Sequence, residues 1–358
     1  MSFIILNGKK SSLIKGLLIQ SLPPIIKPLI RTKTETIDGR DGDITRKLGY
    51  SAYDKQMSIG LFGDYDINEV IHYFDSEGIV VFSNEPDKFY KYKILQQINF
   101  EALLRFKTAT VTFHCQPFKF SAVDDAFTFS IDKLKPIKYS SSKFGVTVSS
   151  ENGVISVKGT PTFDTEFYFP IKPMTLGSTS YTLKALTSGT GESKCKIRVI
   201  EDTPTDADSF GGQALVLEES GTATLTATPS EPKTFKYIWM YIQSGTAIDF
   251  TLLPQMIDNT VDSFEIFNKG NIYSRPRLTL YGSGTVKLSI NDVELFTMTI
   301  DGYITLDGED MNAYKGDALA NRSVSGNYNN LRFEVGTNKL SWVGTVTEIK
   351  VENDSRWI

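Results

Sequence analysis

The sequence is poor in the side chains on which most catalytic and metal sites depend. It holds two cysteines and two histidines among 358 residues. Cys115 and Cys195 lie far apart without ligand spacing, so we expect small buried thiols rather than a disulfide framework or a zinc site. His72 and His114 are the only near-neutral proton carriers, and neither lies beside a nucleophile motif. We therefore expect no enzyme and no metal or other cofactor.

Strong charge and long apolar runs are also missing. The net charge is −4, which gives no general electrostatic case for binding nucleic acid or an anionic membrane. The apolar stretch 17–30 is interrupted by Gln20, Lys27 and three prolines, so it cannot span a bilayer. The lysines before it come without the apolar core and cleavage site of a signal peptide. We expect the chain to fold in a cytoplasm, or to leave by a route that needs no signal.

Helical periodicity is scarce, and this predicts a mainly β fold. The one good helix spans residues 66–76, with Asp64 or Asp66 as N-cap and Gly78 as a natural stop. The pattern around residues 98–106 also allows a second short helix. Nearly everything else alternates apolar and polar residues between Gly, Asn, Asp and Ser turns, as stacked short strands do.

Composition divides the chain into three segments. The first segment, 1–132, mixes strands with the helix and is predicted to be a β-sandwich-like domain. The middle segment, 133–262, is rich in Ser, Thr, Gly and Pro, and its turn clusters recur at the spacing of a β-sandwich. Its predicted strands are 144–148, 154–157, 167–169, 180–186 and 194–199. The last segment, 263–358, resumes short strands with tight turns, so a sandwich inserted into a two-domain protein is the simplest account.

Aromatic side chains form the first candidate site. Strand alternation places Phe235, Tyr237, Trp239 and Tyr241 on one face of a strand, and Tyr168 lies on another predicted strand of the same segment. Filling of the sandwich interior is the simpler interpretation. The alternative is an aromatic platform that stacks on the apolar faces of sugar rings.

Acidic side chains suggest two further chemistries. The run from Asp38 to Asp43 superficially resembles a calcium loop, but its twelfth position is Gly49 rather than the bidentate Glu of an EF-hand. A tight turn with glycines at positive φ is the better interpretation. Asp164 and Glu166 could in principle serve a glycan hydrolase, although solvated turn residues are the simpler account.

An ordered series of motifs is distributed over the first and last segments. It comprises residues 4–11, 15–19, PPIIKP (23–28), IDGRDG (37–42), VTFHCQPF (111–118), NKGN (268–271), 274–276, LTLYGSG (278–284), ITLD (304–307), Asn321, Leu331, GTNKLSWVG (336–344) and 356–357. Each motif alone is weak, but together they span both sides of the middle segment. In this order they resemble the distal tail proteins (Dit) of siphophages that infect Gram-positive bacteria.

The resemblance implies a structural role in a virion. The first segment would form a closed ring, usually a homo-hexamer, at the distal end of the phage tail, and the last would be a galectin-like sandwich. Partners would be the tail tube protein and a tail-associated lysin or tip protein, and the protein would be made in the host cytoplasm. The polar arm 31–46 suits contact with a neighbouring subunit, although without the resemblance an ordinary surface loop is the simpler interpretation. With it, Arg31, Asp38, Arg40 and Asp41 are the candidate interface residues.

The middle segment resembles, more loosely, the carbohydrate-binding modules inserted in longer members of that family. This implies binding of host cell-wall polysaccharide, with Tyr168, Tyr237, Trp239 and Tyr241 as candidate residues. Two other hypotheses stay open. The insert could be purely structural and dock another baseplate protein, or the chain could be a tail-associated glycan hydrolase.

Overall fold

The structure is a computed structural model, and it describes residues 2–39, 41–122, 125–202 and 209–358. These residues form twenty-eight strands and two short α-helices, so the prediction of a mainly β fold is confirmed. Among the described residues, no helix has the length and apolarity that crossing a membrane would require.

The first segment forms one large sheet, one separate hairpin and both helices. Its elements are β1 (Ile4–Leu6), β2 (Lys9–Lys10), β3 (Leu17–Ser21), β4 (Ile30–Thr36), β5 (Asp43–Tyr50), β6 (Tyr53–Leu61), α1 (Ile67–Phe74), β7 (Glu77–Phe82), β8 (Lys88–Lys93), α2 (Phe100–Phe106) and β9 (Thr108–Ser121). The large sheet has the strand order β2-β1-β7-β8-β9-β6-β3. Strands β4 and β5 form a separate two-stranded sheet, and their side chains are mostly exposed.

The helices follow from local signals. Helix α1 begins after Asp66, whose carboxylate accepts hydrogen bonds from two backbone N–H groups of the first turn. It buries Val70, Tyr73 and Phe74 against the sheet, and α2 buries Leu103. The first segment therefore has two helices where the fold prediction named one. The second short helix allowed by residues 98–106 is present as α2. Its N-cap is Asn99, whose side chain accepts a hydrogen bond from the backbone N–H of Ala102 at 2.8 Å.

The middle of the chain forms two sheets that enclose one hydrophobic core. Strand β10 (Phe127–Ser130) follows the first sheet and precedes the sandwich. The sandwich strands are β11 (Tyr139–Lys143), β12 (Val146–Glu151), β13 (Val154–Gly159), β14 (Thr165–Leu176), β15 (Tyr181–Thr190), β16 (Cys195–Ile200), β17 (Leu215–Val216), β18 (Thr222–Ala227), β19 (Lys233–Ile242) and β20 (Ile248–Asp258). The sheets are β11-β12-β13-β20-β15-β18 and β14-β19-β16-β17. All five strands predicted here are present. Alternate residues such as Val146, Val148, Phe250 and Leu252 fill the core between the sheets.

The last segment forms a curled eight-stranded sheet around a third core. Its strands are β21 (Ser263–Asn268), β22 (Arg277–Ile290), β23 (Val293–Asp307), β24 (Asn312–Lys315), β25 (Ala318–Leu319), β26 (Val324–Gly326), β27 (Gly336–Glu352) and β28 (Arg356–Trp357). The order is β10-β27-β22-β23-β24-β25, with β21 beside β27 and β26 beside β23. The register between β22 and β27 shifts twice, and such bulges bend long strands.

The first and last segments exchange strands. Strand β10, which precedes the sandwich, pairs with β27, and the terminal strand β28 pairs with β9 of the first sheet. Arg356 of β28 is only 2% exposed. Its guanidinium lies between the rings of Phe118 and Tyr273, with the central carbon 4.6 and 4.9 Å from their centroids. The Nε donates to the Tyr273 carbonyl at 2.8 Å.

The chain enters and leaves the middle sandwich at one place. Asp132, just before the sandwich, bridges to Ile257 at its end. The largely buried Asp132 carboxylate accepts from the backbone N–H groups of Leu134 and Met256 at 3.0 and 2.8 Å. Because both connections meet here, the sandwich can be attached without interrupting the sheets on either side.

Candidate functional site

The outer face of the sheet β14-β19-β16 carries the predicted aromatic residues. Along β19, Ile238 and Met240 point into the sandwich core, so Trp239 and Tyr241 point outward. Tyr237 also lies outside the core and is partly exposed. The aromatic side chains of β19 were predicted to fill the interior, with an outer platform as the alternative, and these three lie on the outside.

Phe235 does not share this face. It is 1% exposed and belongs to the core, so its predicted place beside the other three aromatic residues is wrong. The register between β14 and β19 shifts between Pro170 and Met174, which lie opposite Tyr237 and Phe235. An irregularity of this kind interrupts the two-residue alternation on which the prediction depended.

Trp239 forms the centre of the outer face. Tyr168 of β14 lies opposite it on one side and Arg198 of β16 on the other. The Arg198 guanidinium is 5.1 Å from the indole centroid, and the Lys196 Nζ is 4.6 Å from the Tyr241 ring centroid. These are cation–π distances. The neighbouring cations and Tyr168 leave Trp239 only 9% exposed. The indole therefore packs beneath the outer face, whereas the Tyr168 and Tyr241 side chains are partly exposed to solvent.

Two carboxylates border this aromatic face. Asp164 accepts a short hydrogen bond from the Tyr241 hydroxyl and another from the Ser244 N–H at 2.8 Å. Glu166 accepts from the Tyr168 hydroxyl at 3.0 Å. The hydrogen bonds from Tyr241 and Ser244 lower the pKa of Asp164. A glycosidase acid requires a raised pKa, so the environment of Asp164 suits an acceptor of hydroxyl hydrogens better than a proton donor.

Lys196 and Arg198 were not among the predicted site residues. Both belong to β16, where cations alternate with the buried residues Ile197 and Val199. That alternation was a usable signal for an outward basic stripe. Its position beside Trp239 depends on the pairing of β16 with β19, which no local pattern reveals.

The predicted interface residues lie on the β4–β5 hairpin, but at opposite ends of it. Arg31 is at the base, opposite Gly49, whereas Asp38 and Asp41 are in the exposed turn. Gly39 and Gly42 have φ values of +81° and +80°, which confirms the turn predicted in place of a calcium loop. Arg40 lies outside the described residues.

The remaining polar candidates form no concentrated site. Cys115 and Cys195 are free and buried, as predicted, and burial raises the pKa of each thiol to about 12. His72 is exposed on α1, and the His114 Nδ1 is 2.8 Å from an Asp54 carboxylate oxygen at the surface. The described residues contain no group of three or more His, Cys, Asp or Glu side chains suited to a metal ion.

Comparison with known proteins gives limited similarity. No family profile and no curated protein matches the sequence. Among solved structures, the Dit protein of phage SPP1 is similar at 12% identity and a TM-score of 0.28, over 72% of this chain and 99% of that chain. That protein is described as a paradigm of the hub adsorption apparatus in phages infecting Gram-positive bacteria. A structure of infectious bursal disease virus, Gt strain, matches at 9% identity and a TM-score of 0.17, over 94% of this chain and 64% of that chain.

Proposed function

We propose that this chain is a non-catalytic hub of a siphophage tail tip, in which the first and last segments build a ring and the middle sandwich holds host cell-wall carbohydrate. The ordered motifs on both sides of the middle segment support the hub assignment. The observation that carries it is the exchange of β10 and β28 between the first and last sheets. This exchange makes the two outer segments one continuous scaffold around the attachment point of the sandwich.

The hub would have three parts with distinct tasks. Residues 1–132 would form the ring, residues 263–358 a galectin-like sandwich, and residues 133–262 a carbohydrate-binding-module-like insert. Six copies would close the ring at the distal end of the tail. There the hub would join the tail tube protein to a tail-associated lysin or tip protein.

The outer face of β14-β19-β16 is the proposed sugar site. Tyr168 and Tyr241 offer partly exposed rings, and Asp164 and Glu166 offer carboxylate oxygens within the same face. Aromatic rings beside a few convergent polar groups are the usual composition of a small-ligand site. A millimolar affinity in each copy is sufficient, because about six copies facing one surface gain orders of magnitude in avidity.

The test compares two tyrosine pairs in the full-length protein. Tyr168→Ala/Tyr241→Ala removes the exposed rings of the proposed site. Tyr281→Ala/Tyr303→Ala removes a similar, partly exposed ring pair 5.6 Å apart on the last sheet. The readout is sedimentation of the protein with purified cell walls from a panel of Gram-positive bacteria.

We expect the site variant to lose at least tenfold in affinity, about 1.4 kcal/mol, while the control binds as wild type. Equal binding by both variants would place the sugar site elsewhere. A folded wild-type protein that sediments with no cell wall would remove the adhesion half of the proposal. The insert would then be left with the purely structural docking role.

A further inference from the structure

A cavity of about 370 Å³ lies at the base of the β4–β5 hairpin. The hairpin contributes Arg31 and Lys47 to its wall, β8 contributes Lys91, and the last segment contributes Tyr273 and Glu309. The cavity therefore lies where the hairpin, the first sheet and the last segment meet. All three parts would be held in the scaffold proposed above.

The cavity has an excess of positive charge. Arg31, Lys47 and Lys91 are exposed, and in the described part of the chain none of them forms an ion pair. The Lys47 Nζ donates to the Tyr50 hydroxyl at 2.8 Å, which keeps the cation at the hairpin base. Among the described residues of the wall, Glu309 is the one acid, and it already pairs with Arg356 at 3.3 Å.

Arg356 adds a buried cation directly behind the wall. Its guanidinium packs on Phe118 and Tyr273, and both of these rings line the cavity. The Nη2 group is buried and has no hydrogen-bond partner among the described residues. Buried polar groups are nearly always paired, and an unpaired one calls for an explanation. An anion in this cavity would offset the charge of the four cations, and a carboxylate suits arginine geometry well.

The same hairpin carries unpaired carboxylates at its other end. Asp38 and Asp41 are exposed in the turn, and no ion pair in the described ranges includes them. The turn lies about seven residues beyond Arg31, or roughly 23 Å at 3.3 Å per residue. A turn at that distance cannot fold back into the cavity at the base of its own hairpin. If Asp38 and Asp41 enter a cavity of this kind, it is therefore the cavity of a second copy of the chain.

We propose that Asp38 and Asp41 of one copy dock in the basic cavity formed by Arg31, Lys47 and Lys91 of the next copy. This deepens the proposed hub function, on which it rests, because it names the contact between ring subunits. A turn that binds a different surface of its neighbour makes a heterologous contact, and such contacts close into rings when the rotation allows.

Complementary charge reversal tests this contact. One variant, Arg31→Glu/Lys47→Glu, reverses the cavity, and a second, Asp38→Lys/Asp41→Lys, reverses the turn. The control Lys33→Glu/Arg46→Glu makes the same charge change on the same hairpin, at a pair outside the cavity wall. The full-length proteins are measured by native mass at micromolar concentration and about 0.15 M salt.

We expect each reversed variant alone to be monomeric and the control to assemble as wild type. An equimolar mixture of the two reversed variants should regain the wild-type mass, because each contact in an alternating ring is then attractive. If either reversed variant assembles normally by itself, or if the mixture stays monomeric, the contact is refuted while the ring stands. A wild-type protein that never assembles would instead refute the ring together with its contact.

Discussion

Replacing Arg356 by alanine should destabilise the two outer segments together. The substitution removes a hydrogen bond to the Tyr273 carbonyl and the packing of the guanidinium between two rings. A hydrogen bond to a charged group contributes about 1.5–3 kcal/mol. Glu309, the ionic partner, is 54% exposed, so that pair adds only about 0–1 kcal/mol. We expect the free energy of unfolding of the two outer segments to fall by about 3 kcal/mol. For a unit of roughly 200 residues this lowers Tm by roughly 6–12 °C.

The matched control is Arg332→Ala. Arg332 also lies over the Tyr273 ring, at 5.5 Å, but its side chain is about half exposed. Its removal should cost less than about 1 kcal/mol. Trp357 lies on β28 and Trp342 in the last core, and Trp239 lies in the sandwich. Fluorescence of single-tryptophan variants during denaturant unfolding therefore reports each part separately.

In the Arg356→Ala background, the Trp357 and Trp342 transitions should move together to lower denaturant while the Trp239 transition stays in place. Equal shifts of the unfolding midpoints for Arg356→Ala and Arg332→Ala would contradict the reasoning that the buried arginine stabilises the fold more than the half-exposed one. A shift seen by Trp357 alone would show that β28 frays independently of the last sheet.

Two further predictions concern the sandwich. Burial raises the pKa of Glu192, so its contribution to stability is present below the unfolded value near 4.5 and is lost as pH rises through the folded pKa. Hydrogen bonds from Glu192 and Ser193 lower the pKa of Glu219 to about 2, so its contribution is present above 4.5 and is lost as pH falls toward 2. Glu192→Gln should abolish the first dependence in thermal melts followed by sandwich fluorescence; an unchanged pH profile would refute this assignment. Gly189→Ala should cost at least about 2 kcal/mol in urea unfolding, because its Cβ would meet the Asp249 carbonyl oxygen at 2.3 Å at a φ of +147°. Gly153→Ala, with φ at +83° and open space, should cost about 1 kcal/mol, and equal costs would show that the close approach is relieved by relaxation.

Local structure was largely predictable because its causes are local. The spacing of Val70 and Phe74, together with a cap at Asp64 or Asp66, indicated α1 to within a few residues, and the structure selects Asp66 as the cap. Two-residue alternation located the sandwich strands, since one face of each strand is buried in a single core. The positive φ of Gly39 and Gly42 followed from the turn chemistry of the acidic run.

Long-range pairing was not predictable in the same way. Nothing in residues 127–130 indicates that β10 pairs with β27 of the last segment, because strand partners are chosen by the packing of the whole sheet. The same limit applies to the candidate site. Alternation along β19 gave the shared face of Trp239 and Tyr241, but only the sheet brings Lys196 and Arg198 over them. The prediction for Phe235 was wrong because the register shift between β14 and β19 depends on the partner strand β14.

Negative-stain imaging of the purified full-length protein, with a mass measurement on the same sample, tests the central claim most directly. We predict closed rings of about six copies, with each copy carrying one lobe of the size of the sandwich at the rim. Monomers with separate, flexibly linked outer segments, or open filaments without closure, would contradict it.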